Sequence, residues 1–265
     1  MSEITTSRVV RAVDFEQPWF KRIAGELGEQ MNLHRKLWEF CAIAQVYQEQ
    51  VGSANRPARA LGFGVGREPL AAWFAAQGAS VIATDRPDAT REWADTGQHA
   101  ASLADLRRPA VCDPATFDER VRFLFVDMNA IPANLKCGLY DFTWSSGSFE
   151  HIGSLDRGIN FFCEQMKCLR PGGIAAHTTE FNPHNDEPTL NAHDIVLYRQ
   201  DDLFKLMDRL TAQGDALWPL DLERGNTPAD AHIDRPPYGL PHLRIIVTGM
   251  FVTTSILLVA RRGHA

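Results

Sequence analysis

The chain lacks any excess of basic residues: 27 Lys and Arg stand against 33 Asp and Glu, a formal net charge of -6. No general field draws a phosphate backbone or an anionic lipid surface to it, so nucleic acid is not the expected partner. Cysteine is sparse, with five residues (Cys41, Cys112, Cys137, Cys163, Cys168) in an odd set that has no C-x-x-C pair and no secretory leader ahead of it. Reduced thiols in a cytoplasmic protein are the expectation, and the Cys and His spacing offers no zinc site. Internal repeats and low-complexity tracts are missing. The longest apolar run, Ile245 to Ala260, is short for a membrane span and is broken by Gly249 and by hydroxyl residues. It reads as two adjacent buried strands.

What is present is the ordinary composition of a folded protein, 265 residues with 45% hydrophobic and 23% charged, enough for one large domain with a substantial core. Apolar residues recur at helical spacing from Phe15 to Gln30 and from His34 to Val51, which gives two amphipathic helices ahead of the main fold. Then comes a strand from Ala58 to Phe63, a helix from Glu68 to Gln77 and a strand from Val81 to Asp85, a β-α-β unit and therefore a parallel sheet. Val121 to Val126 and Tyr140 to Trp144 add two strands. A helix from Leu155 to Leu169, closed by Arg170-Pro171-Gly172-Gly173, precedes a fifth strand from Ile174 to Thr179. After a helix over Asp201 to Leu210, Leu243 to Val247 and Phe251 to Ala260 are joined too closely to be anything but an antiparallel hairpin. The expected fold is α/β: a Rossmann-like, seven-stranded, mostly parallel sheet with a terminal antiparallel hairpin and helices on both faces. An N-terminal helical cap occupies residues 1–55 and the main domain residues 56–265.

The turn Gly62-Phe63-Gly64-Val65-Gly66 links the first parallel strand to its helix, where glycine lets a ligand approach the backbone. A dinucleotide G-x-G-x-x-G starting at Gly62 wants glycine at position 67, where Arg67 stands, which disfavours a nicotinamide dehydrogenase. Asp85 ends the second strand and Asp127 follows the third. Strand C-termini converge on one crevice in an open sheet, so the glycine turn and both carboxylates line a common cleft.

This order, with Tyr140-Asp141-Phe142 on the fourth strand and Leu169-Arg170-Pro171-Gly172-Gly173 after it, resembles the class I S-adenosylmethionine-dependent methyltransferases over residues 58 to 180. The resemblance implies that Gly62, Gly64 and Gly66 pass beside the methionine portion and that Asp85 holds the ribose hydroxyls. It also implies that Asp127 and Met128 meet the adenine, and that Ser145 and Ser146 lie near the amino-acid end and the sulfonium. The product is then S-adenosylhomocysteine.

Methyl transfer is an in-line displacement in which a hydroxyl acceptor must lose its proton, a task suited to histidine near neutral pH. The pair Glu150-His151 after the fourth strand resembles the segment found there in small-molecule and sugar O-methyltransferases. His151 is the candidate base, and Glu150 either orients its ring or pairs with a basic residue. Glu180 and Asn182 at the end of the fifth strand, and Tyr238 in Pro236-Pro237-Tyr238-Gly239-Leu240-Pro241, are candidate contacts for a small-molecule or carbohydrate acceptor. Arg35 and Trp38 of the second helix are further candidates; Gln98 and His99 read equally as a border to the adenosine or as a plain helix cap and a surface histidine, and are not taken as site residues. His184, Asp186, Glu187, His193 and Asp194 could be weighed as a magnesium site but read as a solvated, turn-forming loop with no metal expected, and Asn182, Asn185, Asp186 and Asn191 favour a hydroxylated acceptor. Two alternatives stand beside O-methylation: an N- or C-methyltransferase, and a non-catalytic protein that binds the same cofactor.

Overall fold

The alternation of strand and helix builds one continuous sheet, which the computed structural model describes over residues 3–52, 56–87, 99–184 and 188–264. The chain opens with β1 (Ser7–Val9), α1 (Pro18–Glu26) and α2 (Arg35–Gln50). It continues through β2 (Arg59–Phe63), α3 (Leu70–Ala76), β3 (Ser80–Asp85), α4 (Pro114–Arg120), β4 (Val121–Phe125), β5 (Tyr140–Ser146) and α5 (Leu155–Gln165). The last third holds β6 (Leu169–Phe181), α6 (Gln200–Ala212), β7 (Ala216–Leu217), β8 (Leu220–Asp221), α7 (Pro228–Ala231), β9 (Arg244–Val247) and β10 (Phe251–Arg261). Local chemistry sets several helix starts. Asp113 accepts from the Thr116 N–H with Pro114 at the first helical position of α4, and Ser154 accepts from the Arg157 N–H at the head of α5.

The strand order is β4-β3-β2-β5-β6-β10-β1-β8, with β7 and β9 also paired to β10. Neighbours from β4 to β6 run parallel and β10 runs antiparallel to β6. These five strands with the β9–β10 hairpin are the seven expected from the sequence. The additional β1, β7 and β8 are two or three residues long, too short to show a two-residue period. The edge of β10 that faces away from β6 is shared by β9, β1 and β7 in turn. Thr248 (φ 52°) and Gly249 (φ 73°) close the hairpin, and the Met250 N–H donates to the Val247 carbonyl at 3.1 Å. Two successive left-handed residues turn the chain in the hand that matches strand twist. The segment Arg170-Pro171-Gly172-Gly173, expected to close a helix, instead lies inside β6. There Tyr140 pairs with Leu169 and Phe142 with Ile174, so the glycines absorb an irregularity in register.

Alternate residues of each central strand feed two cores. Ala60, Phe142, Trp144, Leu257 and Val259 face α1, α2 and α3, while Leu61, Phe63, Ile256 and Leu258 face α5 and α6. α2 packs on β5, β6 and β10. The N-terminal helices therefore contribute to the same core as the sheet. The expected boundary, between residues 55 and 56, adjoins residues 53–55, which lie outside the described residues.

Candidate active site

The parallel connections diverge at the junction of β2 and β5, because β3 lies on one side of β2 and β5 on the other. Such a switch point opens a crevice at the strand C-termini. A cleft of about 460 Å³ occupies it, lined by the glycine turn, Asp85, the segment Val126 to Asn129, Ser146 to Ser148 and His151.

Gly64 (φ 54°) and Gly66 (φ 51°) are left-handed, a conformation that penalises any side chain. A Cβ on Gly64 would stand 2.9 Å from Ser148 Cβ and 3.3 Å from Met128 Sδ, so the turn can pass the cleft only as bare backbone. Asp85 ties that turn to β3: its Oδ2 accepts from the N–H of Gly66 at 3.0 Å and of Ala100 at 3.1 Å, and its Oδ1 from the N–H of Arg86 at 2.8 Å. His99 lines the cleft with Nδ1 at 3.5 Å from Asp85 Oδ1; Gln98 lies outside the described residues. Asp127 lines the cleft after β4, its Oδ1 accepting from the Asn129 N–H at 2.8 Å, and Met128 packs toward Gly64.

Gly62 has a different position. It is buried within β2, and a Cβ there would come within 2.6 Å of the Trp144 ring at Cε2. Gly62→Ala is therefore expected to destabilise the fold by about 1–3 kcal/mol through overpacking, read from urea unfolding. Trp144 in turn donates from Nε1 to Glu68 Oε1 at 2.6 Å, and burial pushes that carboxyl, which lines the cleft, up to about 8.

The two-residue period of β5 separates its two serines. Ser146 lines the cleft and donates to Glu39 Oε2 at 2.9 Å. Ser145 is buried away from it, with Oγ at 2.8 Å from His177 Nδ1, and His177 lies among the rings of Phe149, Phe161 and Phe162. Burial holds His177 down at about 3, the behaviour of a neutral core histidine.

His151 lines the cleft from a short 3-10 turn, Phe149–His151. Its Nδ1 is 2.6 Å from the Asp194 carbonyl oxygen. A carbonyl only accepts, so Nδ1 carries the hydrogen and Nε2 is the basic nitrogen of the neutral ring. Burial lowers the ring below its ordinary 6.5. Glu150 Oε1 stands 3.8 Å from Nε2 and Oε2 accepts from Thr179 Oγ1 at 3.0 Å. Burial, reinforced by Glu180, pushes the Glu150 carboxyl above its ordinary value.

Other expected contacts lie away from the cleft lining. Glu180 pairs with Arg35 Nη1 at 2.5 Å and accepts from Thr253 Oγ1 at 2.6 Å, a buried tie between α2, β6 and β10. Asn182 is buried, its Oδ1 accepting from the His184 N–H at 3.1 Å. Tyr238 is exposed and donates to the Ile246 carbonyl at 2.8 Å. Trp38 donates to Asp14 Oδ2 at 2.8 Å within the core. Residues 185–187 lie outside the described residues. Among the described residues no group of three or more His, Cys, Asp or Glu is arranged to hold a metal ion, and no helix is long and apolar enough to cross a membrane.

Sequence reasoning missed the part of α2 that reaches this region. Lys36 and Phe40 line the cleft. Glu39 beneath them accepts from Lys36 Nζ at 2.8 Å, Ser146 Oγ at 2.9 Å, Thr178 Oγ1 at 2.8 Å and Ser255 Oγ at 2.5 Å. A Lys and Glu three apart on a helix are an ordinary surface pair by pattern, and nothing local marks this pair as internal. Arg157 and His193 also line the cleft.

Residues 34–219 match the family described as "Methyltransferase domain". No curated protein sequence matches the chain. Among solved structures, a geranyl diphosphate C-methyltransferase from Streptomyces coelicolor A3(2), crystallised with S-adenosyl-L-homocysteine, is similar at TM-score 0.53 and 14% identity, over 97% of this chain and 87% of that one. A 1,6-didemethyltoxoflavin-N1-methyltransferase from Burkholderia thailandensis, also with S-adenosylhomocysteine, is similar at TM-score 0.50 and 18% identity, over 97% of this chain and 92% of that one. These likenesses agree in fold with the sheet and crevice described above, and the chain, matched over residues 34–219, belongs to the methyltransferase-domain family.

Proposed function

We propose that this enzyme methylates an oxygen of a small or sugar-like polar acceptor, with His151 as general base. The observation that carries the reading is the His151 ring itself: neutral, at the cleft, with Nδ1–H donated to the Asp194 carbonyl and Nε2 therefore basic. Lowering by burial keeps the ring in its base form at neutral pH. The upward shift of Glu150 helps, since it opposes an ionised carboxylate beside Nε2, which would favour the imidazolium before any acceptor arrived.

The cleft fits the cofactor. The bare backbone at Gly64 and Gly66 leaves room for the amino-acid portion, and Asp85 stands where ribose hydroxyls can donate to its carboxylate. Asp127 and Met128 supply a polar and an apolar contact for the adenine, and Ser146 lies toward the sulfonium end. When bound, S-adenosylmethionine supplies an electrophilic methyl group. The chain's own work is then to hold the acceptor in line, exclude water and take up the acceptor proton at His151 Nε2.

Calorimetric titration with S-adenosylmethionine, S-adenosylhomocysteine and NAD tests the cofactor, with binding expected for the first two alone. Asp85→Ala is expected to weaken both adenosyl ligands by about 1–3 kcal/mol, the cost of leaving buried hydroxyls unpaired; unchanged affinity would remove Asp85 from the ribose. Identification of the methylated atom in an acceptor screen separates O-methylation from the nitrogen and carbon alternatives. Binding without turnover of any acceptor would favour the non-catalytic one.

A further inference from the structure

We infer that the hairpin turn between β6 and α6, residues 190–197, is the device that fixes which ring nitrogen of His151 carries the hydrogen, and that Asn191 is its positioning residue. The inference rests on the reading of His151 as base. The backbone of this segment folds back on itself. The Ala192 N–H donates to the Ile195 carbonyl at 3.0 Å, the Leu197 N–H donates to the Leu190 carbonyl at 2.9 Å, and Asn191 and Val196 face each other as an isolated antiparallel bridge. Thr189 Oγ1 donates to the Leu197 carbonyl at 2.8 Å across the open end. Crossed by these bonds, the hairpin holds its tip, Ala192 to Ile195, in one place.

The hairpin is fastened to the chain on both sides of His151. Before the histidine, the Val196 N–H donates to the Glu150 carbonyl at 2.9 Å. Beyond it, Asn191 Oδ1 accepts from the Leu155 N–H at 3.1 Å, one of the donors that the first turn of α5 leaves without an intrahelical partner. Between these two ties the tip brings the Asp194 carbonyl oxygen to 2.6 Å from His151 Nδ1 and places His193 on the cleft. The returning arm is anchored by backbone and burial. Val196, Leu197 and Tyr198 are buried, and Tyr198 exchanges backbone bonds with Glu180 and Asn182 at 3.0 and 2.8 Å. The outgoing arm is exposed at Asn191, whose side chain is what reaches the helix. Asn191, expected from the sequence to favour a hydroxylated acceptor, is instead spent on the backbone of α5.

A neutral imidazole has one hydrogen, and the nitrogen that bears it is chosen by what the ring meets. With the Asp194 carbonyl at Nδ1, the hydrogen stays there and the Nε2 lone pair is left for the acceptor's proton. When the tip is released the hydrogen can pass to Nε2, which then has no lone pair to offer. The ring keeps the same number of protons and loses the side that works. The hairpin thereby sets whether the base is ready, and Asn191 acts through His151 without touching the acceptor.

The test is nitrogen NMR on the full chain isotopically labelled at histidine, at about pH 8, where the ring is neutral. The His151 signals are identified by their loss in His151→Gln. The wild-type ring is expected to carry its hydrogen on Nδ1. Asn191→Ala is expected to move the ratio of the two tautomers toward Nε2–H by about 2- to 10-fold, the worth of one hydrogen bond, while the core ring of His177 keeps its signals and reports that the variant is folded. Asn191→Asp keeps the accepting oxygen and with it the wild-type ratio. A wild-type ratio in Asn191→Ala overturns the inference and leaves His151 as base. A shift in Asn191→Asp equal to that in Asn191→Ala overturns it too, because the oxygen is then not what holds the hairpin. A wild-type ring with its hydrogen on Nε2 overturns the base reading itself.

Discussion

Replacing His151 with alanine is expected to lower kcat about 100-fold or more while leaving affinity for S-adenosylhomocysteine unchanged, the signature of a lost general base. The ring meets the geometric requirement at a single nitrogen: Asp194 fixes the Nδ1 hydrogen, so Nε2 alone can accept a proton. The wild-type pH profile should then carry an acid limb. The base form predominates above the ring's pKa, which burial sets below 6.5. Activity therefore rises with pH through a point under 6.5 and is level near neutrality, and the alanine variant loses that limb. Full turnover in His151→Ala would end its role as base and turn attention to an acceptor that is already deprotonated.

Glu39→Ala carries the largest expected cost in stability, about 3–5 kcal/mol in urea unfolding, as for a broken buried ion pair. The carboxylate is fastened to α2 through Lys36, to β5 through Ser146, to β6 through Thr178 and to β10 through Ser255. Its removal strands three buried hydroxyls and leaves the Lys36 charge without its paired carboxylate, while Arg35 keeps Glu180. The sign of the pH dependence follows from the direction of the shift. Lys36 and Arg35 together outweigh burial and hold Glu39 below its ordinary 4.5, so its contribution is present above 4.5 and is lost as pH falls through the lower folded-state value. The deficit of the variant should narrow on acidification over that range. A deficit under about 1 kcal/mol would mean that the cluster stabilises no more than a surface pair.

Much of this molecule is legible in its sequence because the deciding rules act over a few residues. Alternation of short apolar runs with helical spacing gives parallel strands, and parallel strands joined by helical crossovers have their C-termini on one edge. Gly64, Gly66, Asp85 and Asp127 reach the cleft for that reason, since each follows directly from where its strand ends. His151 comes into reach by the same logic, five residues beyond the end of β5.

Tertiary structure decided the rest. Gly62 and Gly64 look alike in the sequence, yet the first is set by the Trp144 ring packed against β2 and the second by the cleft. Ser145 and Ser146 differ only in parity, and which parity faces the ligand depends on the two layers that cover the sheet. The partner of Lys36 and Glu39 at Ser146 lies 107 positions away from Glu39, beyond the reach of any local period. Glu180, expected at the acceptor, is instead drawn to Arg35 from α2, and Tyr238 to the backbone of β9. The sequence by itself thus determined the order of elements, the crevice and the residues that end its strands, all consequences of near-neighbour geometry. Which helix closes that crevice, and which buried charges it brings, was decided only by packing, because a buried charge finds its counterion in space and not along the chain.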